Sequence, residues 1–197
     1  MITPIIMETN IEEVRSKLVL LAERESKRVH IDIGDGLFSD YLSPSPADLQ
    51  EFDLSKLEVD MHLMVDDPTE WIEECVALKP ARLIAQIERM GSQKLFLEAV
   101  ESYGGEGGLA LAINTPIDEI EKESLELAQT ILLLSVPTGT SGSPFDERVI
   151  EKIKSLRKIY SGKILIDGGI NKETYQKVIE VGASEAGANS SYWKGEI

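Results

Sequence analysis

Short apolar, β-branched runs alternate with charged amphipathic stretches along the whole chain. The strands this pattern predicts are residues 2–6, 28–33, 57–65, 82–87, 108–113, 130–136, 163–167 and 184–188. Helices are predicted over 11–25, 69–78, 92–103, 116–127, 145–160 and 172–181. Asn10 and Asn171 stand as N-caps, and Pro68 suits the first turn of a helix, where its missing N–H costs least. Eight strands alternating with helices in 197 residues predict an α/β fold, a (β/α)8 TIM barrel forming one domain over 1–197. An open doubly wound sheet is the second choice, and no Gly-x-Gly-x-x-Gly follows the first strand to support its dinucleotide-binding form.

Two stretches depart from a full barrel. Residues 39–56 hold only a short helical piece, so the second helix is predicted to be shortened. Only residues 189–197 follow the last strand, so the eighth helix is predicted to be missing or truncated. The outer sides of the first and eighth strands would then be apolar and bare, which predicts a homo-oligomer.

Charge narrows the partners. Twenty Lys and Arg against 35 Asp and Glu give a net charge of −15, which disfavours nucleic acid and anionic membrane. No apolar run approaches a membrane span of about 20 residues, and the first residues lack the basic flank of a signal peptide. The single cysteine, Cys75, fits a reducing compartment, so a cytoplasmic protein is expected.

The chain has only two histidines, and each has an aspartate two residues away. Alternation puts His30 and Asp32 on one face of their strand, opposite Val29, Ile31 and Ile33. Asp60, His62 and Met64 likewise share a face, and a third strand ends at Asp167 before Gly168 and Gly169. Parallel barrel strands bring their C-terminal ends to one mouth, where His30, Asp32, His62 and Asp167 can meet. Two imidazoles and two carboxylates suit Zn, Fe, Mn or Co, or acid/base work. The same residues can equally be hydrogen-bonded core histidines and a turn-forming aspartate.

His30-Ile31-Asp32-Ile33-Gly34-Asp35-Gly36, Asp60-Met61-His62-Leu63-Met64-Val65 and Ile166-Asp167-Gly168-Gly169-Ile170 resemble, in order and separation, the strand motifs of the ribulose-phosphate 3-epimerase family. The resemblance runs from about Ile2 to Trp193. It implies an isomerase of the pentose phosphate pathway that inverts D-ribulose 5-phosphate to D-xylulose 5-phosphate at C3. It further implies one divalent metal ion (Zn, Fe, Mn or Co) held by His30, Asp32, His62 and Asp167, with Asp32 and Asp167 as the acid/base pair. For a small-molecule sugar phosphate it implies a site built from Gly139, Ser141, Gly142, Gly168, Gly169, Asn189 and Ser190. Met7, Met64 and Leu134 fall where the family has methionines over the metal. The chain departs from the family pattern at Ile5 (Ser), at Leu37 (His), at Gln86 (His) and through the Ser/Thr-rich loop 137–143. Two other readings remain on the residues alone: a metal enzyme of the same barrel acting on a different sugar or sugar phosphate, and a non-catalytic binding barrel.

Overall fold

The computed structural model describes residues 1–197. Its strands are β1 (Ile2–Ile6), β2 (Arg28–Gly34), β3 (Glu58–Met64), β4 (Arg82–Gln86), β5 (Glu106–Leu111), β6 (Thr130–Leu134), β7 (Lys163–Asp167) and β8 (Glu185–Ala188). All pair in parallel and in chain order, and β8 returns to β1 to close the barrel. The helices are α1 (Ile11–Glu23), α2 (Pro46–Leu49), α3 (Ile72–Val76), α4 (Gln93–Ser102), α5 (Lys122–Leu127), α6 (Arg148–Arg157), α7 (Lys172–Glu180) and α8 (Ser190–Trp193). No helix is long and apolar enough to cross a membrane. The predicted (β/α)8 barrel is therefore found, with the shortened second helix and the truncated eighth.

Helix starts follow the predicted caps. Asn10 accepts from the Glu13 N–H at 2.9 Å, and Asn171 accepts from Glu173 and Thr174. Two helices are more broken than their periodicity predicts. The third begins as a 3₁₀ turn over Pro68–Trp71, because Asp67 caps the Thr69 N–H and Pro68 sets the first turn. The fifth splits at Ile120, which is extended. Gln93 of α4 reaches across and satisfies both groups the break exposes, donating to the Glu119 carbonyl and accepting from the Glu121 N–H.

The bare outer face expected on β1 and β8 is absent. Ile6, Ala186 and Ala188 are buried, and Tyr192, Trp193 and Ile197 of the C-terminal segment pack on the core in place of a full helix. The Trp193 indole N–H also donates to the Ile5 carbonyl at 2.7 Å. Short as it is, the last segment covers the gap with aromatic area, so a bare strand face gives no reason for self-association.

The barrel interior is divided. Ile84, Ala110, Leu132, Leu134 and Leu165, from β4 to β7, fill one side with apolar volume. The remainder is polar and stands in two storeys. In the lower one, Asp60 takes paired hydrogen bonds from Arg28 (2.8 and 2.8 Å) and from Arg82 (2.9 and 2.8 Å). Arg82 also donates to Glu185 at 2.7 Å. Burial would raise the Asp60 carboxyl, but the two guanidinium groups outweigh it and hold it below its usual range. Because folding lowers it, this stabilisation holds at neutral pH and is lost as acid protonates Asp60.

Asp60→Asn leaves the buried Arg82 guanidinium and the half-buried Arg28 guanidinium short of charge. It should cost about 3–5 kcal/mol at neutral pH, read by urea unfolding, and the deficit should shrink toward acid pH.

Candidate active site at the barrel mouth

The upper storey is set by strand register. β2 and β3 pair with His30 level with Asp60 and Asp32 level with His62. β2 thus gives both His30 and Asp32 to the site and β3 gives His62, with the Asp32 carboxylate beside the His62 imidazole. Asp32 Oδ1 lies 2.9 Å from His62 Nδ1 and 3.2 Å from His30 Nε2. The two rings are 5.5 Å apart and tilted by 51°. On β7, Asp167 pairs with Leu134 on one side and with Gly187 on the other. A Cβ at Gly187 would come 2.5 Å from Ile5 Cδ1, so only glycine leaves room there for Ile5 beside Asp167. One ligand atom from each of His30, Asp32, His62 and Asp167 falls within 4.8 Å of all the others. The structure brings together all four residues singled out from the sequence. Asp60, which has the same spacing to a histidine, belongs to the storey below.

Electrostatics separate the two carboxylates. Burial would raise Asp32, but its hydrogen bonds with His30 and His62 prevail and hold it at about 2. Burial, reinforced by the charge of Asp32, pushes Asp167 up to about 7. Burial lowers His62, and Asp32 offsets this only in part. His30 moves the other way: burial would lower it, yet Asp32 and Asp167 together raise it.

Above this floor opens a cavity of about 360 Å³. Asp32, Asp167, Met7, Met64 and Leu134 line it, as do Gly139, Ser141, Gly142, Gly168, Gly169, Asn189 and Ser190. Every residue expected at a substrate site thus borders one space. Gly168 and Gly169 have positive φ (110° and 60°), and a Cβ on Gly169 would come 2.7 Å from the Phe145 backbone. The Asn189 amide donates to Ser141 Oγ at 3.1 Å, joining the loop after β6 to the end of β8. The only charged liners are Asp32, Asp167 and Glu196. Any anion here would rest on N–H and hydroxyl groups.

Two supporting residues are not assigned a place at the site from the sequence, which marks Gln86 only as a departure from the family pattern. Gln86, fully buried on β4, sets its amide nitrogen 3.0 Å from His62 Nε2. Its place on an inward-facing strand position was the available signal. Tyr41 donates its hydroxyl to the Asp32 and Glu8 carbonyls, and nothing in its irregular segment marked it.

Comparison with known proteins adds a second line of observation. The family model described as "Ribulose-phosphate 3 epimerase family" matches residues 1–192. Ribulose-phosphate 3-epimerase of Bacillus subtilis is 29% identical over 174 residues, covering 84% of this chain and 79% of its own. The cytoplasmic isoform of Oryza sativa is 32% identical over 167 residues, covering 82% and 71%. Among solved structures, N-acetylmannosamine-6-phosphate 2-epimerase from Clostridium perfringens superposes with a TM-score of 0.66 at 11% identity, covering 100% of this chain and 93% of that one. A tryptophan synthase α-subunit from Pyrococcus furiosus also gives 0.66, at 15% identity and covering 98% and 88%. At such identities these two likenesses show the barrel fold alone.

In the metal-free protein, the Asp167 side-chain carboxyl should titrate with a midpoint of about 7, followed by its ¹³C resonance. Asp32→Asn removes the neighbouring charge and should move that midpoint down, while burial keeps it above the usual carboxylate range.

Proposed function

The chain belongs to the ribulose-phosphate 3-epimerase family and is an isomerase of the epimerase type, and on that premise we propose a metal-dependent inversion of D-ribulose 5-phosphate at C3 by Asp32 and Asp167. The observation that carries this reading is the placement of two carboxyl groups, Asp32 and Asp167, at one cavity floor beside two imidazoles. Without a metal ion, Asp32 is held ionised while Asp167 is pushed up to about 7. Two carboxyl groups driven apart in this way divide naturally into base and acid.

Inversion needs a group on each face of the reacting carbon. Asp32 and Asp167 reach the cavity from strands separated by β1 and β8 in the ring. With the sugar between them, the Asp32 carboxylate accepts the proton from C3 as the C3–H bond breaks. Asp167 then delivers its own proton to the opposite face of C3. The pair ends in the reverse state, ready for the reverse reaction or for proton exchange with water. A single base would tend to return the proton to the side it left.

His30, Asp32, His62 and Asp167 fit a divalent cation. They form a compact set of two nitrogens and two oxygens, all within 4.8 Å of one another. When bound there, such an ion supplies positive charge against the oxyanion that develops as the proton leaves a carbon next to a carbonyl. His30 and His62 also keep Asp32 ionised by hydrogen bonding, and Met64 and Leu134 line the cavity with apolar area. For the phosphate, Gly168, Gly169 and the loop bearing Gly139, Ser141 and Gly142 offer N–H and hydroxyl donors, with Asn189 and Ser190 beside them.

One observation favours a second reading, the same chemistry on a different sugar. The cavity has no cationic liner, and Glu196 borders it. A coupled assay comparing D-ribulose 5-phosphate with unphosphorylated pentuloses separates the two. Turnover confined to the phosphorylated sugar supports the first reading, and turnover confined to the free sugars supports the second.

Asp167→Asn should lower turnover by about 10²–10⁴-fold with the fold intact by circular dichroism. Turnover near that of the parent protein would overturn the acid/base assignment. Dialysis against a chelator should abolish turnover, and Zn, Fe, Mn or Co should restore it.

A further inference from the structure

We infer that Gln86 is a positioning residue whose side-chain amide serves His62 in either of its two neutral tautomers, and so tunes how firmly the site holds a cation. The inference rests on the metal reading above. It concerns a residue at which this chain departs from the family pattern.

Gln86 and His62 are both fully buried, so their polar atoms have no recourse to solvent. Gln86 Nε2, which can only donate, lies 3.0 Å from His62 Nε2. With the amide so oriented, His62 Nε2 is the bare nitrogen and the ring proton sits on Nδ1, where Asp32 Oδ1 at 2.9 Å accepts it. In this arrangement Gln86 Oε1 has no partner at all. A buried, unpaired carbonyl oxygen costs free energy, and such an atom calls for a reason.

The cation supplies it. With Nε2 turned to Gln86, Nδ1 is the His62 nitrogen that faces the other three ligands. To ligate there, Nδ1 must be bare and the ring proton must sit on Nε2. The amide NH₂ would then confront an N–H, donor against donor. A half-turn of the Gln86 amide removes the conflict, because Oε1 then accepts from Nε2–H. A ligand histidine whose other N–H is accepted in this way is oriented and made more basic. Glutamine can meet both states, whereas an apolar residue meets neither and a carboxylate meets only the loaded one.

The test measures zinc affinity by chelator competition, with the His62 ring followed by long-range ¹H–¹⁵N correlation. The metal-free parent should carry its proton on Nδ1. The zinc-loaded parent should carry it on Nε2, in a slowly exchanging hydrogen bond. Gln86→Leu should weaken zinc binding by about 10–100-fold. Gln86→Glu should bind zinc at least as tightly as the parent. A role in packing alone would give the opposite order, since the site would accept leucine and reject a buried carboxylate. Zinc affinity of Gln86→Leu within about twofold of the parent would overturn the inference, as would weaker binding by Gln86→Glu than by Gln86→Leu. If neither variant folds, a rapidly exchanging Nε2 proton in the zinc-loaded parent overturns it. A parent protein that takes up no zinc, iron, manganese or cobalt overturns this inference and the metal reading together. Tight binding with an indifferent Gln86 overturns only this one.

Discussion

Keeping a carboxylate ionised inside a barrel is the constraint on which the site depends. Asp32 is 3% exposed, and burial by itself would favour its neutral form. The register of β2 against β3 answers this by placing His62 level with Asp32, while alternation along β2 places His30 on the same face. Both imidazoles then share one carboxylate oxygen. The resulting negative charge is what raises Asp167 further than burial alone, so the state of one carboxyl at the floor is set through the other. A slip of one residue between β2 and β3 would turn one strand's polar face toward the helices and dissolve the arrangement.

The lower storey makes that register hard to lose. Asp60 is held by Arg28 from β2 and by Arg82 from β4, and Arg82 reaches on to Glu185 of β8. Removing one member leaves charge buried without a counter-charge, so the network opposes misregistered pairings of β2, β3 and β4. The apolar fill from β4 to β7 crowds the other side of the interior. The cavity opens over the ends of β1, β2, β6, β7 and β8, which is where both aspartates and the glycine-bearing loops lie.

Much of this was legible in the amino-acid order. Short apolar, β-branched runs marked the eight strands, and the paired His and Asp positions marked the residues that converge. Local spacing could not say which aspartate joins the site. His30 and Asp32, like Asp60 and His62, are two apart, and the difference lies in height along the barrel and in the arginine that β4 presents. Nor could helical periodicity show that Gln93 would stabilise a break at Ile120, because the two groups it satisfies belong to a different helix. The face expected to be bare on β1 and β8 reflects the same limit. Counting residues showed that no full helix could follow β8, but not that Tyr192 and Trp193 would cover the gap.

Net charge and local chemistry point in different directions, and distance decides between them. The surface carries −15, yet solution salt screens exposed charge over about 8–10 Å, while donors lining a cavity act at contact. An anion among Gly168, Gly169, Ser141 and Ser190 would meet N–H and hydroxyl dipoles first. The overall field then acts mainly on how fast a phosphorylated sugar arrives, and the loop donors act on how firmly it stays. Glu196 is the exception, because it lies at the rim itself and not out in the screened field. The choice between a phosphorylated and a free sugar therefore turns on that local balance at the rim, while the paired carboxyl groups at the floor are common to both readings.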